Sequence, residues 1–260
     1  MNTKHSVTAD GGTPWTRGPG ANPPPEPLVW DDRTLHRFWS FYASRPETYF
    51  SFAKGADIVR RARKHLKPHD RILDYGCGPG FLLQQLLEAG YSAAGGDIST
   101  DVIGCHGPKL GSPKNLVGLF AIDDLLRERR TFDAIFLIEV VEHLYDDALA
   151  ATLGNCRSLL RPGGRLLVTT PNDERLEDNV VYCPVSNVTF HRWQHVRSWN
   201  ATTLPAALSE QGFAVAEVHT CTFRDNREAD IPIVRRAARR ALAYLRKPQS
   251  LFVVATAGSA

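Results

Sequence analysis

The chain has 260 residues, of which 43% are hydrophobic and 23% are charged. This balance excludes a wholly disordered, collagenous or fibrous protein, and the length suits one generous domain with appendages. The formal net charge of +3 is small for a dedicated nucleic-acid binder, so the sequence predicts no nucleic-acid partner.

The five cysteines are scattered along the chain and form no Cys-x-x-Cys pair, which argues against a disulfide framework and a zinc ribbon. The N-terminus has no apolar signal core. The most hydrophobic run, Ala134–Val141, is far shorter than the roughly 20 residues that span a bilayer. We therefore expect a cytoplasmic protein.

The N-terminal region has two parts in the sequence. Residues 1–28 predict a disordered leader, because residues 10–27 hold four glycines and six prolines, which resist helix and sheet. Residues 29–68 predict a helical cap, whose first helix begins near Trp30 and whose second runs from about Pro46 to Leu66. The first helix carries Leu35, Phe38, Trp39 and Tyr42 at helical spacing. Such a stripe favours core packing over a substrate pocket.

After Pro68, short β-rich runs alternate with helical segments, which is typical of a parallel α/β sheet. The predicted strands are Arg71–Tyr75, Ser92–Gly96, Leu116–Phe120, Phe132–Ile138, Arg165–Thr170, Phe213–Phe223 and Leu251–Thr256. The predicted helices are Gly80–Ala89, short segments near Asp101 and Asp123, Asp146–Leu160 and Thr202–Gln211. Residues 69–260 therefore predict one α/β domain.

A glycine-rich turn joins the first of these strands to its helix through Gly76, Gly78 and Gly80. Glycines permit a tight turn and let a ligand approach the backbone at a helix N-terminus. Asp97 ends the next strand about 20 residues later, where a carboxylate can bind both hydroxyls of a ribose. A nicotinamide dehydrogenase shares these features. Its fingerprint, Gly-x-Gly-x-x-Gly, differs from the Gly-x-Gly-x-Gly spacing here, which argues against a pyrophosphate ligand.

The turn resembles the first motif of the class I S-adenosylmethionine-dependent methyltransferases. Three later segments resemble further motifs of that family in the same order, namely Gly96–Ser99, Phe132–Glu139 and Leu160–Val168. The resemblance covers the chain from about Asp70 to Phe223. It implies a Rossmann-like, doubly wound sheet of seven strands with an antiparallel last strand, and methyl transfer from S-adenosylmethionine.

The resemblance also implies the contacts of that cofactor. Asp74 and Gly76 would hold its methionine end, with Gly78 and Gly80 completing the turn. Asp97 would bind the ribose. The adenine would contact Ile98 and Asp123, although the sequence does not separate Asp123 from Asp124. Glu139, at the end of the fourth strand of the family, would complete the cofactor site.

Three polar side chains, Glu139, Glu142 and His143, follow the strand Phe132–Ile138 at the edge where open α/β sheets bind ligands. If a helical turn begins at Glu139, two carboxylates and an imidazole could hold one hard cation such as Mg²⁺. In the competing interpretation, Glu142 orients the next helix and His143 is a hydrogen-bonded wall residue.

A long loop after the strand Arg165–Thr170 carries His191 and His195, whose side chains would share a face in helical or extended backbone. Such a loop can close an acceptor pocket over the cofactor. The resulting hypothesis assigns catalysis to His143, His195 and Glu142. It assigns a metal to Glu139, Glu142, His143 and His191.

Within the family, Glu-x-x-Glu-His followed by a histidine-bearing loop resembles the ubiquinone-biosynthesis type O-methyltransferases and the small-RNA 3′-end methyltransferases. Both branches imply a hydroxyl acceptor and a divalent metal. The expected acceptor is a hydroxyl of a small molecule, lipid precursor or glycan. RNA ribose 2′-O-methylation and a non-catalytic, cofactor-binding subunit are the competing functions.

Residues 231–247 predict a basic amphipathic helix, with six Arg or Lys residues and no acidic residue. Such a helix could contact an anionic membrane weakly or bind a phosphorylated substrate, which would place a cytoplasmic protein at the membrane periphery. It could equally lie on the domain with its charges in solvent.

Overall fold

The computed structural model describes residues 23–98, 110–226, 235 and 247–258. The strands in these residues are β1 (Glu26–Pro27), β2 (Arg71–Tyr75), β3 (Ser92–Asp97), β4 (Leu116–Ala121), β5 (Phe132–Ile138), β6 (Leu160–Pro171), β7 (Val180–Cys183), β8 (Val188–His191), β9 (Phe213–Cys221) and β10 (Ser250–Ala257). The α-helices are α1 (Asp32–Ala43), α2 (Phe50–Ala62), α3 (Phe81–Glu88), α4 (Ile122–Arg127), α5 (Asp146–Leu159) and α6 (Thr203–Glu210).

Within the described residues, seven strands form one sheet in the order β4-β3-β2-β5-β6-β10-β9. The pairs from β4 to β6 are parallel, whereas β10 runs antiparallel to both β6 and β9. Parallel neighbours require crossover connections, which place helices on the faces of the sheet. These observations confirm the predicted doubly wound α/β sheet with its antiparallel last strand.

Both faces of the sheet are buried, which explains the apolar composition of its strands. Successive side chains of β5 alternate between two core clusters. Ile135 and Leu137 pack in the cluster that includes α5 residues, and Phe136 packs in the cluster that includes residues of α2 and α3. Packing from both sides holds the carboxyl ends of the central strands in fixed positions along one edge.

Most predicted elements differ from the observed ones only at their ends. β2 and β5 have the predicted bounds. The strand predicted as Arg165–Thr170 begins instead at Leu160, because Leu160 already pairs with Phe132 before the Pro-Gly-Gly turn. The helix predicted near Asp101 lies outside the described residues.

The region predicted as a helical cap contains α1 and α2. Asp31 caps α1, since its carboxylate accepts a hydrogen bond from the backbone N–H of Thr34 at 2.8 Å. Asp57 anchors α2 to the segment after β9, because its buried carboxylate pairs with Arg61 at 2.9 Å and accepts the backbone N–H of Arg224 at 3.2 Å. The cap is therefore held against the α/β domain.

Residues 23–28, the described end of the predicted disordered leader 1–28, include β1, which belongs to the small sheet β1-β8-β7. Glu26 and Leu28 donate backbone hydrogen bonds to Asn187 at 3.1 Å and Thr189 at 2.8 Å. The composition of residues 1–28 does not reveal hydrogen-bond acceptors that lie about 160 residues later in the chain. The strand β1 was therefore not predicted. Residues 1–22 lie outside the described part of the chain, as does the predicted basic helix 231–247 apart from Arg235 and Lys247. Among described helices, none is long and apolar enough to cross a membrane.

Candidate active site

The candidate site lies at the carboxyl ends of β2, β3, β5 and β6. Strand order reverses between β2 and β5, since β3 and β4 extend the sheet on one side and β6 on the other. Open α/β sheets bind ligands at such a reversal, because the loops after the two central strands diverge and leave a crevice. The topology thus brings the glycine turn after β2 next to the polar segment after β5.

The glycine turn has a backbone that other residues adopt with strain. Gly76, Gly78 and Gly80 have φ angles of +73°, +46° and +74°. A Cβ atom at Gly76 would lie 2.9 Å from Val140 Cγ2, and one at Gly78 would lie 3.3 Å from Tyr49 Cε1. The turn therefore requires glycine for both its conformation and its space.

Two buried carboxylates flank this turn. Asp97 Oδ2 accepts the backbone N–H of Gly78 at 2.9 Å. Asp74 is 3% exposed and its Oδ2 atom has no hydrogen-bond partner. Burial, together with the charge of Asp97, raises the pKa of Asp74 to about 7. An unpartnered buried oxygen is costly, and a donor or cationic group of a ligand would satisfy it.

The residues assigned to the adenine end lie beyond Asp97. The side chain of Ile98 is 85% exposed, directly after β3. Asp123 is exposed in the first turn of α4, whereas Asp124 pairs with Arg127 at 2.6 Å. The ion pair with Arg127 therefore distinguishes Asp124 from Asp123, a distinction that the sequence did not make.

Tyr49 is a site residue that the sequence analysis missed. Its ring lies over Gly78 and has its centroid 5.7 Å from that of Phe81. Burial and the nearby charge of Asp97 raise the pKa of the Tyr49 hydroxyl. Tyr49 precedes α2 in the cap and belongs to no motif, so only the folded chain shows that it reaches the glycine turn.

The segment after β5 turns sharply at Glu139, which has a φ angle of +51°. Its backbone N–H donates to Thr169 O at 3.0 Å, and its Oε1 accepts the Thr169 hydroxyl at 2.9 Å. A positive φ in a residue other than glycine is uncommon and concentrates at functional sites. The predicted helical turn begins later, as a 3-10 turn over Val141–His143.

Glu142 is the most deeply buried acidic residue of the site, at 1% exposure. Its Oε2 accepts the Thr170 hydroxyl at 3.0 Å, and its Oε1 has no hydrogen-bond partner. Burial, and then the charge of Glu139, raise the pKa of Glu142 well above its usual range. The interpretation of Glu142 as a mere helix-orienting residue leaves this second oxygen unexplained.

His143 presents one ring nitrogen to Glu142. Its Nδ1 lies 3.4 Å from the carbonyl oxygen of Gln194, and the backbone of Glu139 also hydrogen-bonds the ring. Its Nε2 lies 4.0 Å from Glu142 Oε1. Burial, and then the charge of His195, lower the pKa of His143 to about 3, so the ring is neutral near pH 7. A neutral imidazole with a free lone pair can act as an acceptor or a metal ligand.

The three residues predicted as catalytic come together. Glu142, His143 and His195 each offer a ligand atom, and these atoms lie within 4.8 Å of one another. The two other members of the predicted metal set are not in this cluster: the Glu139 carboxylate is near Glu142 but is bound by Thr169, and His191 lies with Glu174. His195 therefore replaces His191 beside Glu142 and His143.

A second group contains Glu174, His191 and His195, whose ligand atoms also lie within 4.8 Å of one another. Burial would raise the pKa of Glu174, but the hydrogen bond and charge of His195 hold it below its usual range. Glu174 lies in the loop after β6 and was missed, because an isolated acidic residue in a loop carries no spacing signal.

The histidine-bearing loop also contains regular structure that was not predicted. β7 and β8 form an antiparallel hairpin, and His191 ends its second strand. α1 faces this hairpin: Trp30 contacts Phe190 and Tyr42 contacts Trp193, with ring centroids 6.0 and 5.8 Å apart. Because α1 has no buried residue, its aromatic stripe is not the core packing that the sequence favoured.

Trp39 connects the aromatic rings of α1 to the cluster of Glu142, His143 and His195. Its ring meets the His143 ring edge-on, with centroids 4.9 Å apart. This junction of cap aromatics with Glu142, His143 and His195 is the acceptor side of the candidate site. Aromatic rings beside polar groups suit a molecule that has an apolar body and one polar reacting group.

Comparisons with known proteins identify the family of the chain. Residues 47–218, more than half of the chain, match the model of a family described as a methyltransferase domain. A ubiquinone biosynthesis O-methyltransferase from Xylella fastidiosa is 40% identical over 106 residues, which cover 39% of this chain and 42% of that protein. The chain therefore matches less than half the length of this curated relative.

Solved structures share the fold at low sequence identity. The 1,6-didemethyltoxoflavin-N1-methyltransferase of Burkholderia thailandensis, solved with 1,6-didemethyltoxoflavin and S-adenosylhomocysteine, has a TM-score of 0.61 at 16% identity and covers 90% of this chain and 92% of its own. An S-adenosylmethionine-dependent methyltransferase of Mesorhizobium loti has a TM-score of 0.53 at 20% identity, with 77% and 97% covered. These likenesses show the Rossmann-like fold.

The pH dependence of stability should report the burial of Asp74. Its pKa of about 7 in the folded chain lies above the ordinary value of 3.8. The folded protein therefore holds a proton that the unfolded chain releases, and this stabilisation is lost as the pH rises from about 4 to 7. Replacing Asp74 by Asn should remove this loss. Between about pH 4 and 7, the free energy of unfolding of the variant, measured in urea without cofactor, should fall less steeply than that of the wild type, by up to about 1.4 kcal/mol per pH unit.

Asp123→Asn, at an exposed position of α4, is the matched control and should leave the slope unchanged. If the free energy of unfolding of Asp74→Asn fell as steeply with pH as that of the wild type, Asp74 would not be the buried proton site.

Proposed function

The chain belongs to the methyltransferase domain family, and from this premise we propose that it transfers a methyl group from S-adenosylmethionine to a hydroxyl oxygen of a small acceptor. The observation that carries the proposal is the convergence of Glu142, His143 and His195 beside the glycine turn. The name of the Xylella relative, an O-methyltransferase, supports the same acceptor atom.

The glycine turn together with Asp74 and Asp97 forms a cofactor cradle, and its residues fit the parts of this cofactor. The unpartnered oxygen of Asp74 suits the ammonium group of the methionine end, and Asp97 suits the ribose hydroxyls. Exposed Ile98 offers an apolar surface to adenine, and Asp123 offers an acceptor to its amino edge. When bound, the cofactor supplies an electrophilic methyl group on a sulfonium.

The acceptor would enter between the cap and the hairpin β7–β8. Trp39, Tyr42 and Trp193 line this side with aromatic rings. Such surfaces favour a flat or apolar body, since aromatic rings stack and bury apolar area. Among the predicted acceptors, this favours a hydroxylated small molecule or lipid precursor over a glycan.

Positioning supplies most of the rate enhancement in this proposal. Holding the acceptor oxygen in line with the methyl carbon is worth roughly 7 to 11 kcal/mol, whereas removal of the hydroxyl proton by a general base contributes about 10² to 10⁴ in rate. The lone pairs of His143 and His195 are suited to receive that proton. The cap and hairpin exclude water and fix the orientation of the acceptor.

The same three residues fit a divalent cation. Glu142, His143 and His195 each offer one ligand atom, and these atoms lie within 4.8 Å of one another. Mg²⁺, the cation that the sequence suggested, prefers oxygen ligands, whereas two imidazoles with one carboxylate suit a transition-metal ion. Such an ion would lower the pKa of an acceptor hydroxyl.

Methyl transfer can be measured directly with S-adenosylmethionine that carries a deuterated methyl group. We expect the label on the oxygen of hydroxylated aromatic acceptors, detected by mass spectrometry, and little label on the matched amines. Labelled amines with unlabelled hydroxyl compounds would contradict the proposal, as would labelled glycans in the absence of labelled aromatic acceptors.

Cofactor binding should depend on Asp97. Calorimetry should show binding of S-adenosylhomocysteine and none of NAD, and Asp97→Ala should weaken that binding by roughly 1 to 3 kcal/mol, the cost of unpaired buried hydroxyls. Asp124→Ala is the control, because Asp124 is engaged by Arg127. Unchanged affinity in Asp97→Ala would show that this carboxylate does not bind the ribose.

Tyr49 should contribute to cofactor affinity from the cap. Tyr49→Ala should raise the dissociation constant of S-adenosylhomocysteine about tenfold, since removal of the ring uncovers the glycine turn. Phe52→Ala is matched to it, because Phe52 also packs on Phe81, at a centroid distance of 5.0 Å. Equal losses in both variants would indicate a general effect on the cap rather than a cofactor contact.

A cation at Glu142, His143 and His195 has separate consequences. Removal of divalent ions by EDTA should abolish turnover while leaving the affinity for S-adenosylhomocysteine unchanged, and Mn²⁺ should restore turnover. Glu142→Gln and His143→Ala should be damaged to a similar extent, because their side chains would bind one ion. Full turnover in EDTA, with a loss confined to one histidine variant, would instead identify that histidine as the general base.

A further inference from the structure

His195 has one ring nitrogen engaged by a carboxylate. Its Nδ1 is hydrogen-bonded to Glu174 Oε2. An ionised carboxylate only accepts, so this contact requires a proton on Nδ1; in a neutral imidazole the lone pair then lies on Nε2. Nε2 is the nitrogen that the proposed function requires beside Glu142 and His143.

Glu174 also contacts polar groups from two other segments. Asn179 Nδ2 donates to its Oε1 at 3.0 Å, and His191 Nε2 lies 3.4 Å from the same oxygen. The Glu174 side chain is 12% exposed. The position of the Glu174 carboxylate therefore depends on these contacts as well as on the backbone of the loop after β6.

The protonation of His191 disfavours a metal in this second group. His191 Nδ1 accepts the backbone N–H groups of Trp193 at 3.3 Å and His195 at 3.1 Å. A nitrogen that accepts two hydrogen bonds carries no proton, so in the neutral ring the proton lies on Nε2, toward Glu174. A protonated nitrogen cannot ligate a metal. In this structure His191 Nδ1 and His195 Nδ1 are both engaged in hydrogen bonds, which disfavours a cation among Glu174, His191 and His195.

The His191 ring also restricts rotation of His195. The two rings are stacked, with centroids 4.6 Å apart and planes inclined by 21°. The backbone of His195 is tied to the same ring through its N–H. His195 is thus fixed on one side by stacking and on one edge by Glu174.

We propose that Glu174 is a positioning residue that fixes the tautomer and orientation of His195, so that the Nε2 lone pair faces Glu142 and His143. This role rests on the proposed function, in which that lone pair binds a cation or takes the acceptor proton. Partners that orient a functional histidine through its second nitrogen commonly affect metal affinity or activity by 10- to 100-fold.

The test has a readout that is independent of turnover. Long-range ¹H–¹⁵N spectra of protein labelled with ¹⁵N-histidine distinguish the two tautomers, and His195→Gln assigns the His195 signals. The wild type should show Nδ1–H for His195 without any ligand. Glu174→Ala should shift His195 toward Nε2–H or a mixture, and Glu177→Gln should not, because Glu177 pairs with Arg175 on the same loop.

Glu174→Gln serves as a near-isosteric second variant if Glu174→Ala does not fold. A glutamine has one acceptor oxygen for the donors of Asn179, His191 and His195, so the His195 tautomer should again become mixed. In both variants kcat should fall about 10- to 100-fold, while the dissociation constant of S-adenosylhomocysteine stays the same.

Two results would overturn the positioning role: Nε2–H for His195 in the wild type, or an altered tautomer with unchanged kcat. Absence of methyl transfer by the wild type to any hydroxyl compound would contradict the proposed function instead. In that case the tautomer spectra still decide whether Glu174 fixes His195.

Discussion

The second oxygen of the Glu142 carboxylate constrains the chemistry of this molecule more than any other atom. The Glu142 side chain is buried at the carboxyl edge of the sheet, where an unpaired charge is costly. Thr170 binds one oxygen, while the other lies 4.0 Å from His143 Nε2. Burial raises the pKa of Glu142 and so favours the form in which its own proton occupies this space, whereas the ionised form would require a cation there.

The fold explains how such an arrangement persists. β5 and β6 are packed on both faces, so the turn after β5 and the threonines that end β6 keep their places. Glu139 takes a left-handed backbone conformation at the start of this turn, held by Thr169. The core therefore stabilises a local geometry that the segment alone would not adopt.

The cofactor cradle and the acceptor side depend on different parts of the chain. The glycine turn and Asp97 belong to consecutive strands, and their geometry follows from local backbone requirements. The acceptor side combines the turn after β5, the hairpin β7–β8 and α1, which are distant in sequence. Variation in the cap and hairpin can thus change the acceptor without disturbing the cofactor contacts.

The sequence could predict the cofactor cradle better than the acceptor side, because only the former is encoded by neighbouring residues. Short motifs set the strand bounds and the cradle, because glycine spacing and the acidic residue after β3 are local signals. Glu142, His143 and His195 were also identified, since carboxylate and imidazole at a strand end point to ligand chemistry. Tyr49 and Glu174 were missed because they reach the site only through the packing of the cap and of the loop after β6. β1 was missed for the same reason, since its hydrogen-bond partners lie in β8.

The central proposal for acceptor activation is that Glu142, His143 and His195 hold a cation beside the methyl donor, with a histidine general base as the alternative. Anomalous X-ray diffraction from crystals grown with S-adenosylhomocysteine and Mn²⁺ tests it most directly. The account predicts one strong anomalous peak bounded by these three side chains, next to the sulfur of the bound product. Clear density for S-adenosylhomocysteine with no anomalous peak there, or with the peak between Glu174 and His191, would contradict it.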